Sequence, residues 1–199
     1  MSGIKWYKEL DSTNNEARRA LEELDNFSVI ATESQTAGRG QGIHTWYATP
    51  GRNLTFTVVF RPAGLHARDA ILITYITTVS LVNYLARRGV EARIKWPNDI
   101  WVGDRKICGI LIENVLDGPE VKASIIGIGL NINEEGWPDY LPNPVSLSEL
   151  TGRKYDIREE LDEFYKIFCR HAEMILGDDG RKILQEEFEK RVFRLPEEP

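Results

Sequence analysis

Four short stretches combine residue types able to hold a small polar or anionic molecule. The first is Glu33-Ser34-Gln35-Thr36-Ala37-Gly38-Arg39-Gly40-Gln41-Gly42. Its spaced glycines let backbone approach a ligand closely and turn successive N–H groups into an anion-binding concavity. Arg39 adds a permanent charge on a planar fork suited to phosphate. A plain surface connection with an exposed arginine has the same composition. No Gly-Lys-Ser/Thr follows, so this is not a Walker loop. The second stretch is Ile94-Lys95-Trp96-Pro97-Asn98-Asp99-Ile100. A lysine that closes a strand ahead of a rigid turn fixes one ammonium at a sheet's edge. There it could neutralise a carboxylate and an approaching phosphate together; a surface lysine beside a type I turn is the plainer alternative.

The third stretch, Ile126-Gly127-Ile128-Gly129-Leu130-Asn131-Ile132-Asn133, places glycines inside an apolar strand. Such glycines mark a close approach to the backbone, by a ligand or by a packing helix. The fourth, Asp11-Ser12-Thr13-Asn14, reads as a helix N-cap, and a helix start also offers free N–H donors to a ligand. Other chemistries find no support. His44, His66 and His171 have no cysteine or carboxylate at metal-ligand spacing, so no direct protein ligand for a metal is identified. There is no Gly-x-Ser-x-Gly elbow, and Cys108 in an apolar strand reads as core.

These residues need elements to position them. Ile4 to Leu10 alternates as a first strand, and Asn15 to Leu24 carries Ala17, Ala20, Leu21 and Leu24 on one helical stripe. Phe27 to Thr32 reads as a buried strand that runs into the glycine-spaced loop, and Asn53 to Phe60 as a further strand. Arg68 to Arg87 is the best long helix, stopped at Gly89. Short strands follow at Ala92–Lys95, Asp99–Val102 and Ile107–Asn114, then Val121–Ile132 after an Asp117-Gly118 turn. Helices are expected over Ile157–Ile175 and Arg181–Phe193. Strands grouped centrally with helices segregated around them predict an α+β domain over residues 1–199, with a mixed β-sheet and helices packed mainly on one face.

The 199 residues carry a net charge of -6, which argues against a general nucleic-acid binder. Two cysteines are too few for a disulfide framework, the N-terminus lacks a signal-peptide pattern, and no apolar run approaches a membrane span of roughly 18 residues. A cytoplasmic protein is expected.

The order and spacing of the stretches are more specific than any one of them. Asp11-Ser12-Thr13-Asn14, Gln35-Thr36-Ala37-Gly38-Arg39-Gly40 with Trp46, Lys95-Trp96-Pro97-Asn98-Asp99, Arg105-Lys106-Ile107-Cys108-Gly109-Ile110-Leu111-Ile112-Glu113 and Gly127-Ile128-Gly129-Leu130-Asn131-Ile132-Asn133 together resemble the biotin–protein ligases. The resemblance implies a class II aminoacyl-tRNA-synthetase/biotin-ligase-like fold. It also implies two half-reactions. The carboxylate of biotin attacks the α-phosphate of ATP, with Mg²⁺ assisting, and gives biotinyl-5'-AMP and pyrophosphate. A lysine of a biotin carboxyl carrier protein then attacks the mixed anhydride and releases AMP. Positioning and fixed positive charge supply the catalysis, so no enzyme nucleophile is required.

Carried over residue by residue, the resemblance assigns Lys95 and Arg39 to catalysis. It assigns Ser12, Thr13, Asn14, Gln35, Gly38, Arg39, Gly40, Lys95, Gly109, Gly127 and Gly129 to biotin. It assigns Arg39, Gly40, Gln41, Trp46, Lys95, Asn98, Lys106 and Asn131 to ATP and the adenylate. One departure stands out: Gln41-Gly42-Ile43-His44-Thr45 carries no permanent charge where many relatives are rich in Arg or Lys, which predicts faster leakage of the activated ester. The chain begins at the catalytic strand and ends near Arg194-Leu195-Pro196-Glu197-Glu198-Pro199. A catalytic domain is therefore expected without the N-terminal DNA-binding domain or C-terminal small β-barrel of relatives, with no direct role on DNA or membranes. Self-association into a homodimer through a sheet edge or face accords with the family. The competing readings are a lipoate or octanoyl transferase, which lacks support because no Arg-x-x-Gly-Gly-Gly block is present, and a non-catalytic biotin-binding module.

Overall fold

The structure, a computed structural model, describes residues 3–194. In chain order the elements are β1 (Ile4–Tyr7), α1 (Thr13–Arg19), β2 (Ser28–Thr32), β3 (Leu54–Phe60), α2 (Ile71–Arg87), β4 (Arg93–Lys95), β5 (Asp99–Val102), β6 (Arg105–Asp117), β7 (Glu120–Leu130), α3 (Leu147–Thr151), α4 (Ile157–Met174), α5 (Asp178–Glu189) and β8 (Val192–Phe193). The eight strands form one sheet in the order β1-β2-β3-β7-β6-β5-β4-β8. Its centre is antiparallel, while β1 on β2 and β8 on β4 are parallel, which makes the sheet mixed as expected.

Period-2 alternation divides the sheet's faces. Val29, Ala31, Phe56, Val58, Ile126 and Ile128 point to one face, where they join the buried side of α2 and α4 in the main core. Ile30, Val59, Ala123 and Ile125 point to the other and meet Ala17 and Leu21, at and just beyond α1. The large helices thus cover one face. The second is covered by α1 at one end only, and the rest of it is available for a site.

In the main core Phe164 of α4 is fully buried, edge-on to Phe56 at 5.4 Å and to Tyr84 at 6.3 Å. Beside it the buried Glu160 carboxylate accepts from Arg88 Nε at 2.9 Å and from the Tyr84 hydroxyl. The segment Ala67–Arg87 does have the length and composition of a membrane span, with an 18-residue window of mean hydropathy 1.4, contrary to the reading from apolar runs. In this fold the segment lends one side to the core, with Ile73, Ile76, Leu81 and Leu85 of α2 fully buried, while Ile71 is exposed.

Several elements differ from the sequence reading. The first helix starts earlier, at Thr13, and gives way to a 3₁₀ turn at Leu21–Glu23. Strand β6 is longer at both ends because β5 pairs with Arg105 and Lys106 at its start and β7 pairs along it as far as Asp117. The segment after Glu189 is not helix: Val192–Phe193 adds to β4 as a parallel edge strand, with Lys95 opposite Phe193.

Candidate active site

On the open face a cavity of about 700 Å³ lies between the start of α1, the loop 35–46, the β4–β5 turn and the middle of β6 and β7. That volume falls in the range of small-molecule sites. Its floor is made by the glycines. Gly109 and Gly129 are cross-strand partners, as are Leu111 and Gly127. A Cβ on Gly127 would stand 2.3 Å from Asn14 Oδ1, and one on Gly129 would stand 2.2 Å from Trp46 Cε2. Side chains of the protein itself therefore lie flat on the bare strand, and any larger residue would push them off.

The start of α1 is locked from three sides. Ser12 holds the N-cap position, but its hydroxyl makes no cap bond. Instead Thr13 N–H donates to Gln35 Oε1 at 2.9 Å, so the loop supplies the cap that sequence reading gave to Asp11–Asn14. Asn14 is 3% exposed and fully engaged. Its Nδ2 donates to Glu113 Oε2 at 2.9 Å and to Leu111 O at 3.2 Å, and its Oδ1 accepts from Thr57 at 2.7 Å. Ser12 is left without a side-chain cap bond and lines the cavity wall.

The loop folds over this floor as a tight reversal. Trp46 N–H donates to Gly38 O at 3.0 Å and Gly40 N–H to His44 O at 2.8 Å. Arg39 is tethered back across the cavity mouth, with Nη2 3.1 Å from Glu113 Oε1 and Nη1 3.0 Å from Asn15 Oδ1. Arg18 also reaches Glu113 Oε1 at 3.1 Å. Burial alone would raise the Glu113 carboxyl, but the hydrogen bonds from Asn14 and Arg39 and the charges of Arg39 and Arg18 hold it below its usual value of 4.5.

Among the described residues three lysine or arginine side chains line the cavity, and two face carboxylates: Arg39 with Glu113, and Lys106 with Asp99 at 2.7 Å. Lys95 has no carboxylate partner among the described residues. Its Nζ lies 4.7 Å over the Trp101 ring. The adjacent Trp96–Pro97 peptide is cis, and Asn98 clamps the turn to β6, donating from Nδ2 to Ile110 O at 2.7 Å and accepting from Ile110 N–H at 3.0 Å. An unneutralised ammonium in a partly enclosed site is suited to bind anionic groups.

Of the residues proposed from sequence, Ser12, Thr13, Asn14, Gln35, Arg39, Gly40, Gln41, Trp46, Lys95, Asn98, Lys106, Gly109, Gly127 and Gly129 line this one cavity. Gly38 and Asn131 do not. Gly38 is where the loop pairs with Trp46, and Asn131 is buried beneath the wall, donating to Val145 O at 3.0 Å. Sequence reading did not single out Glu113, Thr57 and Trp101. The signal available for them was strand periodicity, since Glu113 lies four residues beyond Gly109 on β6 and Trp101 two beyond Asp99 on β5.

A family model described as the Biotin/lipoate A/B protein ligase family matches residues 6–131. A biotin–[acetyl-CoA-carboxylase] ligase of Paracoccus denitrificans is 36% identical over 169 residues, which cover 80% of this chain and 69% of that protein. A bifunctional ligase/repressor BirA of Bacillus spizizenii is 33% identical over 133 residues, 65% of this chain; they span 41% of that protein's length. Among solved structures, the biotin protein ligase from Aquifex aeolicus in complex with biotin and ATP shares the fold, with a TM-score of 0.82 at 22% identity over 97% of this chain and 79% of that one. The family match runs over more than half of the 199 residues and holds every sequence-proposed site residue from Ser12 to Asn131, and the chain belongs to the biotin/lipoate A/B protein ligase family.

Proposed function

We propose that this chain is a biotin–protein ligase, which forms biotinyl-5'-AMP from biotin and MgATP and then transfers the biotinyl group to a lysine of a biotin carboxyl carrier protein. The observation that carries the reading is Lys95: an ammonium with no carboxylate partner among the described residues, held at the wall of a 700 Å³ cavity whose other lysine and arginine cations are paired. The carboxylate of biotin and the α-phosphate repel each other as they approach. A fixed positive charge between them lowers the barrier most where the charges converge. Ser12 and Gln35 sit at the opposite end, at the start of α1, where neutral polar groups suit the uncharged ureido ring. Identity to the Paracoccus denitrificans ligase supports biotin as the acid.

Mg²⁺ enters with the nucleotide as part of the substrate. Among the described residues Asp99 is the one carboxylate in the cavity wall, and it faces Lys106, so the donor set suits an ion carried on phosphate oxygens. The compartment is the cytoplasm. Two copies pair through a sheet edge, and β6 beyond Ile110 supports this, since among the described residues β7 is the one strand that pairs with it there. The reading is tested by incubating the protein with biotin, MgATP and a carrier domain and weighing the carrier. One biotinyl group on one lysine, absent with lipoate in place of biotin, is the expected product. An unmodified carrier, or equal modification by lipoate, would contradict it.

A further inference from the structure

Lys95 is held by a ring rather than by a carboxylate, and the surroundings of that ring are ordered. In the backbone register of β4 and β5, Lys95 is opposite Asp99, whose carboxylate pairs with Lys106, and Arg93 is opposite Trp101, so Lys95 and Trp101 are diagonal neighbours on one face. A register shift between Ile100 and Trp101, where β5 meets β6, re-aims the residues after it. On the other side of β4, strand β8 puts Phe193 opposite Lys95. Phe193 stands edge-on to Trp101, centroids 6.3 Å apart at 78°, and Arg93 covers the Phe193 ring at 4.6 Å. Two touching rings are thus flanked by two cations across three strands, and Trp101 is the ring that lines the cavity.

From this stack we infer that Trp101, backed by Phe193, is the positioning residue that fixes the Lys95 ammonium for reaction while leaving its charge unneutralised. This rests on the adenylating reading of the cavity. The physical reason for a ring is competition. A carboxylate partner would hold a lysine equally well, as Asp99 holds Lys106, but it would cancel the charge and contend with an anionic substrate. A ring's negative face attracts the ammonium, restricts its stem and carries no net charge. The role belongs to the step in which carboxylate and phosphate converge, so its loss lowers kcat more than it raises KM.

The test compares Trp101→Leu with Trp101→Phe and Trp101→Tyr in biotin-dependent exchange of pyrophosphate into ATP. Trp101→Leu is expected to lower kcat about ten- to thirtyfold with the KM for biotin within about threefold, and the aromatic variants to recover most of the loss. In a Lys95→Ala background Trp101→Leu should add little, because the ring then has nothing to hold. A KM effect without a kcat effect, equal losses in the aromatic variants, or additive losses would overturn the proposal. If Trp101→Leu does not fold, fluorinated tryptophans placed at 101 keep the shape and weaken the ring face, and kcat should fall stepwise with fluorine count; no trend would overturn it. Independently of activity, the Lys95 ε-methylene protons should resonate upfield of those of other lysines and lose that shift in Trp101→Phe less than in Trp101→Leu. Wild-type protein that exchanges but lacks the upfield signal would sink the stack alone. Wild-type protein with the signal and no exchange would sink the adenylating reading, and the role of Trp101 with it.

Discussion

At the residue scale, the site depends on which side chains are engaged with each other and which are left for a ligand. Glu113 is the hub: it holds Asn14 on the floor and Arg39 over the mouth. Its folded pKa is depressed, so its contribution is present above the unfolded value of about 4.5 and is lost as pH falls below that through the folded value. Acidification below about pH 4.5 should therefore loosen the loop before the core. Proteolysis after Arg39 should show this by accelerating in that window, and should be fast at every pH in Glu113→Gln. A Glu113→Gln loop as resistant as wild type at neutral pH would contradict the tether. Gly129→Ala should displace the Trp46 indole, lower biotin-dependent exchange at least about tenfold and shift tryptophan emission to the red, on the scale of an overpacked site. The residues quoted from sequence were legible because their order is specific. Their supports were less so: Asn14 bonds Glu113, Leu111 and Thr57, Asn14 and Trp46 lie against Gly127 and Gly129, and only the folded sheet brings residues so far apart in sequence together.

At the element scale, long elements with strong periodicity were readable and short ones were not. The 17-residue α2 and the 18-residue α4 carry enough apolar repeats to declare themselves, and β3 is a run of β-prone residues. Strand β8 has two residues and no period, so nothing local distinguishes it from the end of a helix; pairing with β4 decides its state. The start of α1 was misread in its chemistry for a similar reason. The side chain that caps Thr13 comes from Gln35, 22 residues away. Because α4 closes the main core, Phe164→Ala should destabilise the protein by about 3–5 kcal/mol, read as a lower urea midpoint at unchanged m. A loss under about 1 kcal/mol would mean that Phe56, Tyr84 and Phe168 close around the gap.

At the scale of the whole molecule, one face of the sheet is spent on the core and the other on the cavity, an allocation that a grouped-strand sequence with one dominant helical layer already indicated. Strand order was not legible, because a crossover such as β3 to β7 leaves no local trace. Over the cavity mouth the turn 41–45 carries no lysine or arginine, and Ile43 at its tip is 96% exposed. The activated ester is therefore expected to escape faster than from a cationic lid, and the purified protein with biotin and MgATP should label lysines of an unrelated protein above a Lys95→Ala control. Labelling no greater than that control would contradict the leak. The central claim is that Lys95 serves an adenylation, and the most direct measurement is biotin-dependent exchange of labelled pyrophosphate into ATP, with Mg²⁺, for wild type and Lys95→Ala. Exchange that requires biotin, is not supported by lipoate and falls at least about a hundredfold in the variant is the predicted result, as expected when a fixed charge opposite a developing one is removed. No exchange from folded wild type that still binds biotin, or exchange undiminished in Lys95→Ala, would contradict it.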